Sequence, residues 1–222
     1  MTRSPSAKHR GADRDFESIV RRSAESSQCP GDEDWQLDAQ AEWADCLVSG
    51  DFMSAVVQEH RAAAEVALHV AVVTVSDTRT VETDTSGARV AELASAAGHR
   101  VGRRAIVPDE PSRLRPLVQE LAGSVDLHAI LVTGGTGVSA RDQTFETVSA
   151  LLTKPIPGFG ELFRMLSYAE IGPACMLSRA VGGLIGRVAI FVMPGSRAAV
   201  ELAMTKIILP ELPHLIREAR KH

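Results

Sequence analysis

At 222 residues the chain is longer than one ordinary α/β domain requires, and its 45% hydrophobic content supports a buried core. The formal charge of −4 is unevenly spread: residues 1–52 hold 6 Lys/Arg against 11 Asp/Glu, whereas the remaining 170 hold 18 against 17. That balance excludes the broad basic field of a nucleic-acid binder, and no window nears the roughly 18 uninterrupted apolar residues of a membrane span.

Residues 1–52 are rich in Ser, Asp, Glu and Arg and lack a sustained hydrophobic period. This composition reads as a disordered or weakly structured extension that cannot offset its own ordering entropy. A short helix over residues 38–48, with Trp35, Leu37, Trp43 and Leu47 sharing a face, is weighed against a folded module. Basic residues near the start have no apolar stretch behind them, which argues against a secretory signal. Residues 53–65 form a polar, Ala-rich lead-in, and Met53 is the expected functional start. The domain proper is expected over residues 66–222.

Residues 68–75 (LHVAVVTV) are almost wholly apolar and rich in β-branched side chains, as in a strand buried on both faces. A helix is predicted over 84–97, capped by Asp84 or Thr85, with Val90, Leu93, Ala94 and Ala97 inward and Gly98 as its stop. A weaker, charged strand follows over 100–107. Next comes a helix over 111–121 that Pro116 should shorten or kink. Residues 127–132 (LHAILV) form the third strand and 144–152 a helix. Gly158 to Gly160 punctuate, and 161–170 are helical. Residues 175–181 are predicted as a strand before a Gly182-Gly183 turn. Residues 187–193 (RVAIFVM) are another buried strand, and 198–221 a long helix interrupted at Pro210 and Pro213. Strands alternating with helices in this way call for a three-layer α/β/α sandwich with a mainly parallel sheet.

The chemistry gathers where strands end. Ser76 and Asp77 follow the first strand, Gly134, Gly135, Thr136 and Gly137 the third, and Pro194, Gly195 and Ser196 the last. In an open parallel sheet the C-terminal strand ends share one rim, and ligands bind in its crevice. Glycines there let backbone N–H groups approach a phosphate closely. A glycine pair alone is more often turn chemistry, and Ser196 alone can simply cap a helix. Three such loops on one rim together read as a phosphate or nucleotide site.

Asp77, Asp84, Asp109, Glu110 and Asp142 place carboxylates on the same rim, as a hard divalent cation bridging phosphates requires. Capping is the competing role for Asp109, at its own following helix, and for Asp142. Arg79, Arg141, Arg179 and Arg197 lie near the loops as candidate anion ligands, with a solvated surface role as the alternative. His69 and His128 fall within apolar strands, where a packed, hydrogen-bonded imidazole is expected. The seven histidines show no metal-binding spacing. The cysteines, Cys29, Cys46 and Cys175, are far apart and form no C-x-x-C pair. Neither a zinc site nor a disulfide framework is expected, which suits a reducing cytoplasm.

Taken in order, T-V-S-D (74–77), D-T-S-G (84–87), V-P-D-E (107–110), T-G-G-T-G (133–137), R-D-Q-T-F-E (141–146), P-G-F-G-E-L-F-R-M-L-S-Y-A-E-I-G (157–172), L-S-R-A (177–180) and M-P-G-S (193–196) resemble the MoaB/MogA molybdopterin-binding family. The 163–172 stretch is closer to the B type than to the G-type adenylyltransferase. The resemblance implies a molybdopterin pocket in a homotrimer or homohexamer. It also implies transfer of AMP from ATP, with Mg²⁺, to the pterin's terminal phosphate. Asp109 and Asp142 then correspond to the catalytic and magnesium-associated acids, and Gly134, Gly135, Thr136 and Gly137 to the nucleotide-phosphate loop. Ser76, Asp77, Pro194, Gly195 and Ser196 correspond to pocket-lining residues, as do Glu161 and Ser178. Gln143 departs from the small aliphatic residue usual in adenylyltransferases. The alternatives are a non-catalytic molybdopterin carrier and, from another class, a nucleotide-binding regulatory domain.

Overall fold

The computed structural model describes residues 67–221. The expected extension over 1–52, its helix over 38–48 and the lead-in over 53–65 lie outside the described residues. Six strands, β1 (His69–Val75), β2 (Arg100–Val107), β3 (Ala129–Thr133), β4 (Lys154–Pro155), β5 (Val181–Ile185) and β6 (Val188–Met193), form one sheet in the order β2-β1-β3-β6-β5-β4. β2, β1, β3 and β6 run parallel, and β5 pairs antiparallel with both β6 and β4. The sheet is therefore mixed and mainly parallel.

Alternation along the central strands decides the layering. Val70, Val72, Ala129, Leu131, Ala189, Phe191 and Met193 enter one core. Ala71, Val73, Val75, Ile130, Val132, Val188, Ile190 and Val192 enter the other. The first core is covered by α1 (Thr85–Ala96), α4 (Pro157–Ile171), α5 (Arg197–Leu202), a π segment (Ala203–Ile208) and α6 (Leu209–Arg220). The second is covered by α2 (Pro111–Ala122) and α3 (Thr144–Ser149). Each large apolar side chain so buried contributes about 1.5–3 kcal/mol. The apolar runs are continuous because both strand faces are covered.

Several boundaries differ from the sequence reading, each for a packing reason. α2 runs unshortened through Pro116, because Leu114, Leu117, Val118 and Leu121 are all buried along it. α4 begins at Pro157, so Gly158 and Gly160 lie inside the helix and do not punctuate it. A Cβ on Gly160 would stand 2.6 Å from the Ala180 carbonyl, so the glycine there serves close approach. Residues Gly172–Leu177 form a 3₁₀ segment where a strand was expected. Gly182 and Gly183 lie within β5 and do not form a turn: Gly182 faces the Phe191 ring and Gly183 faces the Lys154 carbonyl. The turn into β6 uses Gly186, at φ +61°. β4 escapes the sequence reading because two residues carry no period. In the last helix the interruption takes the form of the π segment just before Pro210, a residue without an N–H to continue the ladder, whereas Pro213 lies inside α6 and does not break it.

Candidate functional site

Register brings the loops to one level. Thr74 pairs with Ile106 and Thr133, and Thr133 with Met193, so β1, β2, β3 and β6 end on a common rim. The Ser76 N–H donates to the Val107 carbonyl at 2.8 Å, and the Gly134 N–H to the Met193 carbonyl at 3.0 Å. Gly134 (φ +104°) and Gly135 (φ +64°) adopt backbone conformations that L side chains rarely take. Space forbids side chains there as well: a Cβ on Gly134 would collide with the Val75 carbonyl, and one on Gly135 with Thr144 and Asp109. A Cβ on Gly137 would lie 2.6 Å from Asp142 Oδ2. Gly195 packs against Gly134. The glycine loop thus touches β1, the final loop and both candidate acids.

Asp109 is only 7% exposed. Its carboxylate accepts the Thr144 hydroxyl at 3.0 Å and the Gln143 N–H at 3.2 Å. It therefore caps α3 from a distance. Its own following helix, α2, has no side-chain cap, so the local capping role considered from the sequence is not the one realised. Burial raises the Asp109 pKa above the usual carboxylate value; the bonds from Thr144 and Gln143 oppose this, and the nearby acids Asp142 and Asp77 add to the rise. Asp142 is half-buried, and its Oδ2 accepts the Ser139 N–H at 3.0 Å and hydroxyl at 2.6 Å. Its predicted capping role becomes closure of the loop onto itself.

Asp77 accepts a fork from Arg141, Nε at 2.9 Å and Nη2 at 2.6 Å, and also the Asp109 N–H at 3.3 Å. The Arg141 guanidinium holds the Asp77 carboxyl below its ordinary pKa. Arg141 and Arg179 are both committed to protein acceptors: Arg179 donates to the Asp142 and Thr136 carbonyls and to Glu146. Arg79 is occupied with Thr83 and Thr85. Arg197 is exposed and lies 3.9 Å from Glu201. Ser76 Oγ accepts the N–H groups of Thr78 and Arg79, and Ser196 caps α5 through the Ala199 N–H. Asp84 is structural: 3% exposed, it caps α1 at Gly87 and accepts the Thr74 hydroxyl. His128 Nδ1 accepts the His69 N–H, as expected for packed imidazoles.

Two cavities lie on this side of the fold, and only the smaller is walled by the loop. One, of about 220 Å³, is walled by Thr136, Gly137, Ser178, Pro194 and Ser196 together with apolar residues of α4 and the 3₁₀ segment. The other, of about 390 Å³, lies between α3 and α4, and Glu161 lines it beside Phe145 and Arg164. The structure thus gathers Asp77, Asp109, Asp142 and the glycine loop; Ser178, Pro194 and Ser196 join that loop at the smaller cavity, and Glu161 stands apart in the larger. Thr144, which bonds Asp109, and Phe163 and Ile171 in the smaller cavity were not singled out from the sequence. Thr144 was signalled only by its place in R-D-Q-T.

Among the described residues no three His, Cys, Asp or Glu side chains gather to hold a metal. Magnesium completes its shell with water and phosphate and needs only one or two carboxylates. Asp109 suits that demand: it is buried, repelled by two acids, and its hydrogen-bond donors are all neutral, a deficit that a cation would offset.

Residues 71–214 match the family described as a probable molybdopterin binding domain. The molybdenum cofactor biosynthesis protein B of Halalkalibacterium halodurans is 50% identical over 166 residues, covering 74% of this chain and 98% of that protein. A crystal structure of a molybdenum cofactor biosynthesis protein B is 51% identical, with a TM-score of 0.69 over 71% of this chain and 98% of that one. The tungsten cofactor synthesizing protein MoaB of Pyrococcus furiosus is 33% identical, with a TM-score of 0.61 over 70% and 98%.

Proposed function

The chain belongs to the molybdopterin-binding domain family and serves molybdenum cofactor biosynthesis, and from that premise we propose that it binds molybdopterin and adenylylates its terminal phosphate with Mg-ATP. A terminal phosphate oxygen of the pterin attacks the α-phosphorus of ATP. The new P–O bond forms as the bond to pyrophosphate breaks. That oxygen is already ionised at neutral pH, so no activated Ser or Cys is needed, and catalysis reduces to alignment and charge compensation.

The observation that carries this reading is the contact of two separate acids with one glycine turn: Asp109 against Gly135 and Asp142 against Gly137. The backbone N–H groups of Gly135, Thr136 and Gly137 would face the nucleotide phosphates, with Gly134 shaping the turn through its own bond to the Met193 carbonyl. Ser76, Asp77, Ser178, Pro194, Gly195 and Ser196 would line the ligand, and Glu161 would serve only a part of it that enters the larger cavity. Asp109 and Asp142 would hold the Mg²⁺, which when bound supplies positive charge between the phosphates.

Gln143 supports the carrier alternative at the sequence level. In the fold its side chain bonds back to the Ala140 carbonyl, and position 143 meets Asp109 through its backbone N–H. The aliphatic-to-Gln change therefore leaves that contact intact. Incubation with molybdopterin and Mg-ATP, followed by assay of pyrophosphate and adenylylated pterin, tests the proposal. Turnover that Asp142→Asn abolishes is expected. Stoichiometric pterin binding without turnover would establish the carrier, and ATP binding without pterin affinity the regulatory domain.

Homo-oligomerisation, as trimer or hexamer, belongs to the same proposal. Leu162, Met165, Tyr168 and Ile171 follow one another at three-residue intervals along α4, and Met176 and Leu177 continue the patch; all are 45–74% exposed. Three-residue steps turn about 60° each around a helix, so these side chains spread over the outer surface of α4, and their density there supports an interaction face. No helix among the described residues is long and apolar enough to cross a membrane. A cytoplasmic location is proposed because ATP is the proposed co-substrate.

A further inference from the structure

Arg179 lies between the 3₁₀ segment and β5, on a different element from every acid and glycine of the site. Each of its three guanidinium nitrogens is occupied by a separate part of the rim. Nη2 donates to the Asp142 carbonyl at 2.9 Å, Nε makes a longer bond of 3.4 Å to the Thr136 carbonyl, and Nη1 pairs with Glu146 on α3. The guanidinium carbon stands 5.3 Å from the centre of the Phe145 ring, covering it in a cation–π contact. One side chain therefore ties the glycine loop, the backbone of Asp142 and the first turn of α3 to one another.

We propose that Arg179 is the positioning residue of the site, the clasp that holds the Thr136 and Asp142 segments in register so that the glycine loop and the acid face one ligand. The need for a clasp follows from the loop itself. Residues 134–137 carry two positive-φ glycines and are held at Gly134 by the Met193 carbonyl, while the turn that contains Asp142 is closed by Ser139 and tied to Asp77 through Arg141 and to Asp109 through the Gln143 N–H; none of these bonds joins the Thr136 segment to the Asp142 one. A glycine turn keeps several conformations relative to its neighbour unless a further bond restricts it. Arginine is required for this task, because a planar fork serves three acceptors at fixed angles, whereas a lysine ammonium at the same place keeps the charge and loses the geometry. The assignment also explains why this guanidinium is not available as an anion ligand.

The inference rests on the adenylyltransferase reading for its kinetic consequence but not for its structural one, so the test has two arms. In the first, hydrogen exchange of the 134–142 amides is compared in the full-length wild type, Arg179→Lys and Glu146→Gln. Faster exchange confined to that loop is expected in Arg179→Lys. Glu146→Gln keeps both carbonyl tethers and should exchange like wild type. In the second arm, turnover of Mg-ATP and molybdopterin should fall about 10- to 100-fold in kcat for Arg179→Lys, with KM for ATP changed less than threefold, since a misplacement of about 1 Å costs rate on this order. Absence of wild-type turnover would remove the proposed function while leaving the exchange arm decisive. The assignment is overturned by an Arg179→Lys loop that exchanges like wild type, by equal effects from Glu146→Gln, or by a global loss of structure in Arg179→Lys.

Discussion

At position 109 a single carboxylate caps a helix 34 residues away and stands among the acids of the candidate site. Its raised pKa has a definite sign in stability. The native state holds the proton more tightly than the unfolded chain does. The Asp109 contribution is therefore most favourable at acid pH and is lost as pH rises through the window between the ordinary value of 3.8 and the raised native one. Asp109→Asn, whose amide oxygen can still accept from α3, is expected to unfold no more easily than wild type at pH 7 while losing turnover. Urea titrations at pH 7 and pH 4 check this, and any advantage of the variant should shrink at the lower pH. Asp77 behaves oppositely. Arg141 lowers its pKa, so its favourable contribution is present above 3.8 and disappears as pH falls through the lowered value. Gly135→Ala meets both a positive φ and the atoms of Thr144 and Asp109, and should cost about 2–5 kcal/mol in equilibrium unfolding.

Elements reach the rim by two kinds of capping. α1 and α5 carry their own caps, Asp84 and Ser196, which a short sequence window suggests. The α3 N-terminus has no local side-chain cap and borrows Asp109 from the loop after β2. That borrowed cap locks the β2 loop to the helix following the glycine loop. Asp84→Ala tests the local kind: it removes a cap and leaves the buried Thr74 hydroxyl without its acceptor, for an expected loss of about 2–4 kcal/mol by urea unfolding. The glycines of α4 and β5 follow a similar logic of approach. Gly160 and Gly182 admit Ala180 and the Phe159–Phe191 pair, so they lie inside elements although they look like breakers in one dimension.

For the whole molecule, the segment that matches relatives covers 98% of the Halalkalibacterium protein but 74% of this chain. A variant lacking residues 1–52 is therefore expected to melt at the same temperature and to turn over at the same rate as the full chain, as calorimetry and the pyrophosphate assay would show. The exposed apolar residues of α4 make a second global prediction. Tyr168→Glu with Met165→Glu places charges on that surface and should turn the proposed oligomer into monomer in light scattering, with circular dichroism unchanged.

Periodicity and turn chemistry are short-range properties, so the residues themselves determined the buried strands β1, β3 and β6, the order of helices, the three-layer class and the rim on which Asp109, Asp142 and Gly134 to Gly137 lie, but not β5. They could not determine which acid caps which helix, that Arg141 belongs to Asp77 across 64 positions, or that Arg179 joins three segments. Those pairings join groups that are remote in sequence, and only the register of β1, β2, β3 and β6, with β5 placing Arg179, brings them within hydrogen-bond distance. The same reason misplaced Gly158, Gly160, Gly182 and Gly183: a missing side chain reads as a turn until the atom that fills its space is known.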